Sequence, residues 1–301
     1  MADAPDAQLN DRPASQTGEC PEPAGAATAA LGAYGLRLTG LEAQSAALVP
    51  VPAGAPAYAL SSELGDVGEL TEHLSAAHAE LRVPSGARIH IDRAAGRIRV
   101  RTAQPVRPEA LVHPYLASAA AIIARWHGHE SFHAGAIAVD GGAWALLADR
   151  EGGKSSTLAQ LAVAGVPIVC DDMLVLDGER PLPGPRTLDL RTGAAERFPH
   201  AEPLGSAGAR DRWRLRVGSV ADDLRLRGFV VLAWGDAMRL RPLTPRERLD
   251  ALLRHRGVRL APADPGALLD YAGLPAWELS RPRTWSSMDA AAGALLERVS
   301  A

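Results

Sequence analysis

Short apolar runs separated by glycine turns dominate the middle of the chain. Ser131 to Val139 reads as a strand entering a Gly141-Gly142 hairpin, and Ala143 to Leu147 as the buried strand that follows. From Ser155 to Ala164 the period changes: Leu158 and Leu161 stand three apart among good helix formers, and Gly165 closes the segment. Val166 to Cys170 reads as another buried strand. It ends in Asp171-Asp172, before the apolar run Met173 to Leu176 and a turn at Asp177-Gly178.

Alternation of polar and apolar positions marks the flanks. Arg88 to Asp92 and Arg97 to Arg101 alternate on either side of Arg93-Ala94-Ala95-Gly96, which predicts a hairpin in a small β-rich unit over residues 31–110. A helix is predicted from Pro108 to Trp126, stopped by His127-Gly128. Arg210 to Arg216 predicts a strand with one basic face turned to solvent, and Gly228 to Trp234 a core strand. Thr244-Pro245-Arg246-Glu247 opens a helix with a capping box, and Asp264-Pro265 opens another. Trp277 to Arg281 predicts a last strand, and Ser287 to Val299 a terminal helix. Residues 1–30, rich in Ala, Pro, Asp and Gly with no apolar core, read as a disordered tail, and 111–301 as the principal domain.

Composition changes this picture at one point. Of 32 basic residues a single one is lysine, Lys154, and it stands in Gly152-Gly153-Lys154-Ser155-Ser156. A compact ammonium after a glycine pair and before two hydroxyls, between a strand and a helix, is the chemistry of a phosphate-binding loop. Gly152, Gly153, Lys154, Ser155 and Ser156 are thus the expected nucleotide contacts, with the lysine on the β- and γ-phosphates and the Ser155 hydroxyl on Mg²⁺. The usual pattern begins with glycine, where this chain has Ala148, which cannot adopt positive φ as cheaply. The paired carboxylates Asp171 and Asp172, at the carboxyl end of the next strand, supply a metal ligand and a proton acceptor beside that loop.

The segment from His133 through the glycine turn, the loop, the helix closed by Gly165 and Asp171-Asp172 resembles the carboxy-terminal domain of HPr kinase/phosphorylase and its shorter relatives, some of them associated with ribosomally made peptide natural products. The resemblance is firm over residues 131–178 and covers about half the chain. It implies a P-loop-containing mixed α/β sheet with flanking helices behind the β-rich unit. It also makes Asp171 the base toward the acceptor hydroxyl, places Asp172 on Mg²⁺ and puts His133 near the phosphates. Leu188-Asp189-Leu190-Arg191 is similar to the family's Leu-Glu-x-Arg, which implies a metal-side role for Asp189 and a charge-stabilising one for Arg191. The chain departs from the family at Ala148, at Glu151, where another loop glycine is usual, and after Arg191, where only Gly193 remains of several glycines.

The expectation is therefore an ATP- and Mg²⁺-dependent kinase acting on a hydroxyl, by resemblance a Ser or Thr of a protein or precursor peptide. A small hydroxylated metabolite as acceptor and a catalytically weak nucleotide-binding module are the alternatives. A net charge of −3 gives no reason to expect nucleic acid or a membrane surface as partner, and the longest apolar stretch, Tyr115 to Ala124, is far short of the ~20 residues of a membrane span. Two cysteines, Cys20 and Cys170, exclude a disulfide framework and fit a reducing cytoplasm. The relatives assemble as oligomers, so a homo-oligomer is expected by resemblance. His127, His129, Glu130 and His133 match no zinc spacing.

Overall fold

The computed structural model describes residues 30–68, 72–83, 86–207, 210–258, 262 and 264–300. The expected disordered tail, with Cys20, falls outside the described residues except at Ala30. The chain has a mixed α/β architecture. Among the described residues its strands form sheets of eight, six, three and three strands.

The eight-stranded sheet contains the predicted hairpin, Arg88–Asp92 paired antiparallel with Arg97–Thr102. Its inward positions Ile89, Ile91, Ile98 and Val100 are fully buried, as the alternation requires. They share one apolar cluster with the helix Leu116–Trp126 and with Phe132, Val169 and Leu174 from the rest of the chain. The boundary expected at residue 110 therefore runs through a continuous core. The tip of the first hairpin reaches furthest: Tyr34 is 3% exposed, and its N–H donates to the carbonyl of Pro183.

The six-stranded sheet carries the site. Its strands lie in the order Ile168–Cys170, Ala134–Val139, Gly142–Ala148, Arg225–Trp234, Ala276–Arg281 and Arg239–Pro242. Ala134–Val139 is antiparallel to both its neighbours, and Gly142–Ala148, Arg225–Trp234 and Ala276–Arg281 are mutually parallel. Four strands therefore end at the same edge, at Ala148, Cys170, Trp234 and Arg281. Ala134–Val139 begins there, just after His133.

Two predicted elements are interrupted. The strand expected from Ser131 to Val139 is split at His133: Glu130–Phe132 pairs with Leu174–Asp177 in a three-stranded sheet, and Ala134–Val139 joins the six-stranded one. The hairpin turn that follows is Asp140-Gly141, both at positive φ, rather than Gly-Gly. The helix expected from Pro108 is broken at His113, whose φ of −150° and ψ of 130° are extended. Pro114 imposes this, because its ring disfavours the helical conformation in the preceding residue.

Candidate active site

The loop between Gly142–Ala148 and the helix Lys154–Val163 is compact. The N–H of Gly152 closes a turn on the carbonyl of Asp149 at 2.8 Å. Gly152 leaves no room for a side chain, since a Cβ would meet the Asp149 carbonyl oxygen at 2.9 Å. Gly153 is held at φ +84°, where a Cβ would lie 2.6 Å from Nη2 of Arg281. Ala148 is a fully buried member of its strand and is absent from the left-handed residues, so glycine's freedom is not needed there. The left-handed position within the loop, besides Gly153, belongs to Glu151 at φ +65°. Its carboxylate turns to the surface and pairs with Arg191 at 2.8 Å.

Gly153 caps the helix without any side-chain hydrogen bond, so the first-turn N–H groups keep the positive end of the helix dipole open. The helix lies close on the sheet because Gly135 opposes Leu158, whose Cδ1 would be 2.3 Å from an added Cβ. Arg281, fully buried at the end of its strand, braces the loop from behind. Its Nη2 donates to Thr157 Oγ1 at 2.9 Å, and that hydroxyl donates to the Gly153 carbonyl at 2.9 Å. Burial lowers Arg281 to about 10, and its Nε and Nη1 have no hydrogen-bond partner.

Lys154 is 6% exposed and places Nζ 3.1 Å from Oδ1 of both Asp171 and Asp172. Burial works against its charge, but the two carboxylates outweigh burial and raise its pKa above the ordinary value. Asp171 Oδ1 accepts three donors: Lys154 Nζ, Ser155 Oγ at 3.3 Å and the N–H of Asp172 at 2.8 Å. Asp172 sits at φ +64°, a conformation asparagine and aspartate tolerate better than most residues. Burial would raise its pKa; Lys154, His113 and His133 together hold it below the usual carboxylate range. His133 opens into the same cavity. Desolvation there and the neighbouring Lys154 pull it below its ordinary value.

A cavity of about 850 Å³ joins these groups, lined among others by Lys154, Ser155, Ser156, His133, Asp172 and Arg191. That is ample for a nucleotide-sized ligand. The donors suit Mg²⁺, a hard cation usually held by one or two carboxylates, hydroxyls, water and substrate oxygens. Among the described residues no three His, Cys, Asp or Glu side chains gather into an all-protein cage.

The other expected residues take different places. Asp189 lines the same cavity, but both its oxygens are engaged by Arg214, Nε to Oδ1 at 2.7 Å and Nη2 to Oδ2 at 2.8 Å, in a buried pair. The arginine strand is accordingly not a solvated basic face, because Arg214 is 2% exposed and Arg212 lines the cavity. His129 turns to Asp177 at 3.4 Å, away from His133. Cys170 is a free thiol beneath the aspartates, pushed up to about 12 by burial. Sequence reasoning missed His113, whose Nε2 lies 3.2 Å from Asp172 Oδ2, and Arg281. Pro114 was the one signal that His113 leaves the helix. No helix among the described residues is long and apolar enough to cross a membrane.

No family model matches the chain, and no curated protein matches it. Among solved structures it is similar to the Hpr(Ser) kinase/phosphatase from Coxiella burnetii, at 14% identity over 56% of this chain and 96% of that one, with a TM-score of 0.27. A likeness so slight carries no functional weight.

Proposed function

We propose that the protein is an ATP-dependent kinase that transfers the γ-phosphoryl group to a hydroxyl, by preference a Ser or Thr of a protein or peptide. The observation that carries this reading is Lys154 Nζ, 3.1 Å from both Asp171 and Asp172 at the uncapped start of a helix behind Gly152-Gly153. An ammonium, open helix N–H groups and the Asp172 carboxylate line one cavity, with Asp171 buried directly beside them against Lys154 and Ser155, a set of groups suited to phosphoryl transfer.

In this reading Lys154 leaves the carboxylates for the β- and γ-phosphate oxygens, and the N–H groups of the first helical turn hold the same anion. Ser155 and Asp172 would hold Mg²⁺, which when bound offsets negative charge on the phosphates. Asp171 orients the acceptor hydroxyl and takes its proton as the new O–P bond forms. The bond from the γ-phosphorus to the bridging oxygen breaks, and ADP leaves. Desolvation and the neighbouring Lys154 disfavour a positive charge on His133.

A nucleotide-binding module without transfer is the second reading, favoured by the three donors already on Asp171 Oδ1. Incubation with Mg²⁺, γ-labelled ATP and Ser- or Thr-bearing peptides separates the two. Label on peptide with wild type, lost in Asp171→Asn while ATP still binds, supports the kinase. Binding without transfer to any peptide or polyol supports the module, and failure to bind ATP overturns both.

A further inference from the structure

We propose that the end of the cavity beyond the loop is a nucleobase subsite, an aromatic shelf of Trp234, Arg283 and Trp285 that commits the site to a nucleoside triphosphate while discriminating little between bases. This deepens the phosphate-site reading and rests on it.

Trp234 and Trp285 are 36% and 38% exposed, and among the described residues no other tryptophan is as open. Both line the same cavity as Lys154, where half-exposed indoles offer π-faces to a planar ligand. Trp234 is tied to the loop itself. Its Nε1–H donates to the Glu151 carbonyl at 3.1 Å, and the Arg281 guanidinium lies 4.6 Å from its ring centroid. Trp285 is fixed by an edge contact with Phe198, ring centroids 6.3 Å apart at 80°. Met288, 4% exposed, adds an apolar wall, and Arg283 stands 5.7 Å from the Trp234 centroid. A shelf immobilised before the ligand arrives loses little entropy on binding.

Base selectivity of several orders of magnitude needs buried hydrogen-bonding groups that a wrong base would leave unpaired. This end of the cavity offers indoles, a thioether and a guanidinium. The hydroxyl beside them, Thr284 Oγ1, is already paired with Ser286 Oγ at 3.2 Å. Stacking accepts any base, because every base has a π-face.

Calorimetric titration of wild type, Trp285→Ala and Trp285→Tyr with ATP, GTP and inorganic tripolyphosphate, each with Mg²⁺, tests the shelf. Loss of one stacked ring weakens ATP and GTP about tenfold in Trp285→Ala, and Trp285→Tyr recovers most of it. Tripolyphosphate, which has no base, is held by Trp285→Ala within about twofold of wild type, which also reports that the loop is intact. Equal weakening of tripolyphosphate, or ATP affinity untouched in Trp285→Ala, overturns the shelf and leaves the phosphate site standing. Preference for one base over the other by more than about tenfold overturns the tolerance of bases. If wild type binds neither ATP nor tripolyphosphate, the phosphate site falls and the shelf with it.

Discussion

Arg191 donates to Glu151 across 2.8 Å, and Glu151 is held at φ +65° inside the loop, a conformation that glycine adopts more cheaply. The left-handed backbone costs about 1 kcal/mol for a side-chain-bearing residue. Both partners are more than 40% exposed, so their pairing returns roughly 0.2–1 kcal/mol. Glu151→Gly is therefore expected to leave stability within about 1 kcal/mol of wild type. It also removes a negative charge from the loop and frees Arg191, so ATP should bind about fivefold tighter by calorimetry. Unchanged or weaker binding would mean the pair supports the loop rather than competing with the ligand.

Lys154→Met leaves two carboxylates facing each other without their cation, a loss on the order of 3 kcal/mol. Asp172 is depressed in the folded protein, so its contribution is present above the ordinary carboxylate value and is lost as pH falls through the folded one. The difference in melting temperature between wild type and variant should accordingly be large at pH 7 and shrink below about pH 4. Calorimetric scans at both pH values check this.

Asp189 and Arg214 predict a stability effect independent of ligand. Removing one partner of so buried a pair, as in Asp189→Ala, should cost about 3–5 kcal/mol, whereas Asp189→Ala/Arg214→Met should cost less than either single change. Denaturant titrations with and without Mg²⁺ and ATP should give the same loss. A loss confined to Mg²⁺ affinity would restore the metal-side role to Asp189.

Arg281 is buried without a carboxylate, so Arg281→Met should leave stability unchanged or raise it. The Arg281–Thr157–Gly153 relay would be gone, and with it a charge behind the loop. Tripolyphosphate binding should weaken about tenfold, through the loss of that nearby positive charge and of the loop's support. Full affinity would show that the brace is dispensable.

Burial lowers His255, which lies 3.7 Å from Asp149, below the ordinary histidine value. A depressed folded value means its contribution is present above the ordinary value near 6.5 and lost as pH falls through the folded one. Melting temperature should drop between about pH 7 and pH 5, less steeply in His255→Gln. Equal slopes would exclude His255 as the responsible group.

What could be read from the sequence was what lies close together along it. The loop glycines, Lys154 and Ser155 are consecutive, and the strand ending in Asp171-Asp172 follows after one helix, so local pattern sufficed. The engagement of Asp189 was hidden because its partner is 25 residues away and faces it only through the pairing of Thr187–Arg191 with Arg210–Arg216. The composition of that arginine strand says nothing about which face is covered. Arg281 and Trp234 were invisible for the same reason: they reach the loop because four strands end at one sheet edge, a fact of topology rather than of spacing.

The core running from Ile89 and Ile98 through Leu116 to Val169 bears on how this protein could be inherited or divided. A piece beginning at residue 111 would present to water the apolar surface that the first hundred residues now cover, and the strand beneath the aspartates would lose Tyr34 at its back. The amino-terminal sheet thus shares its core with the elements that carry the site. Its buried face packs into the same core as Val169 and Cys170, the strand that leads into Asp171.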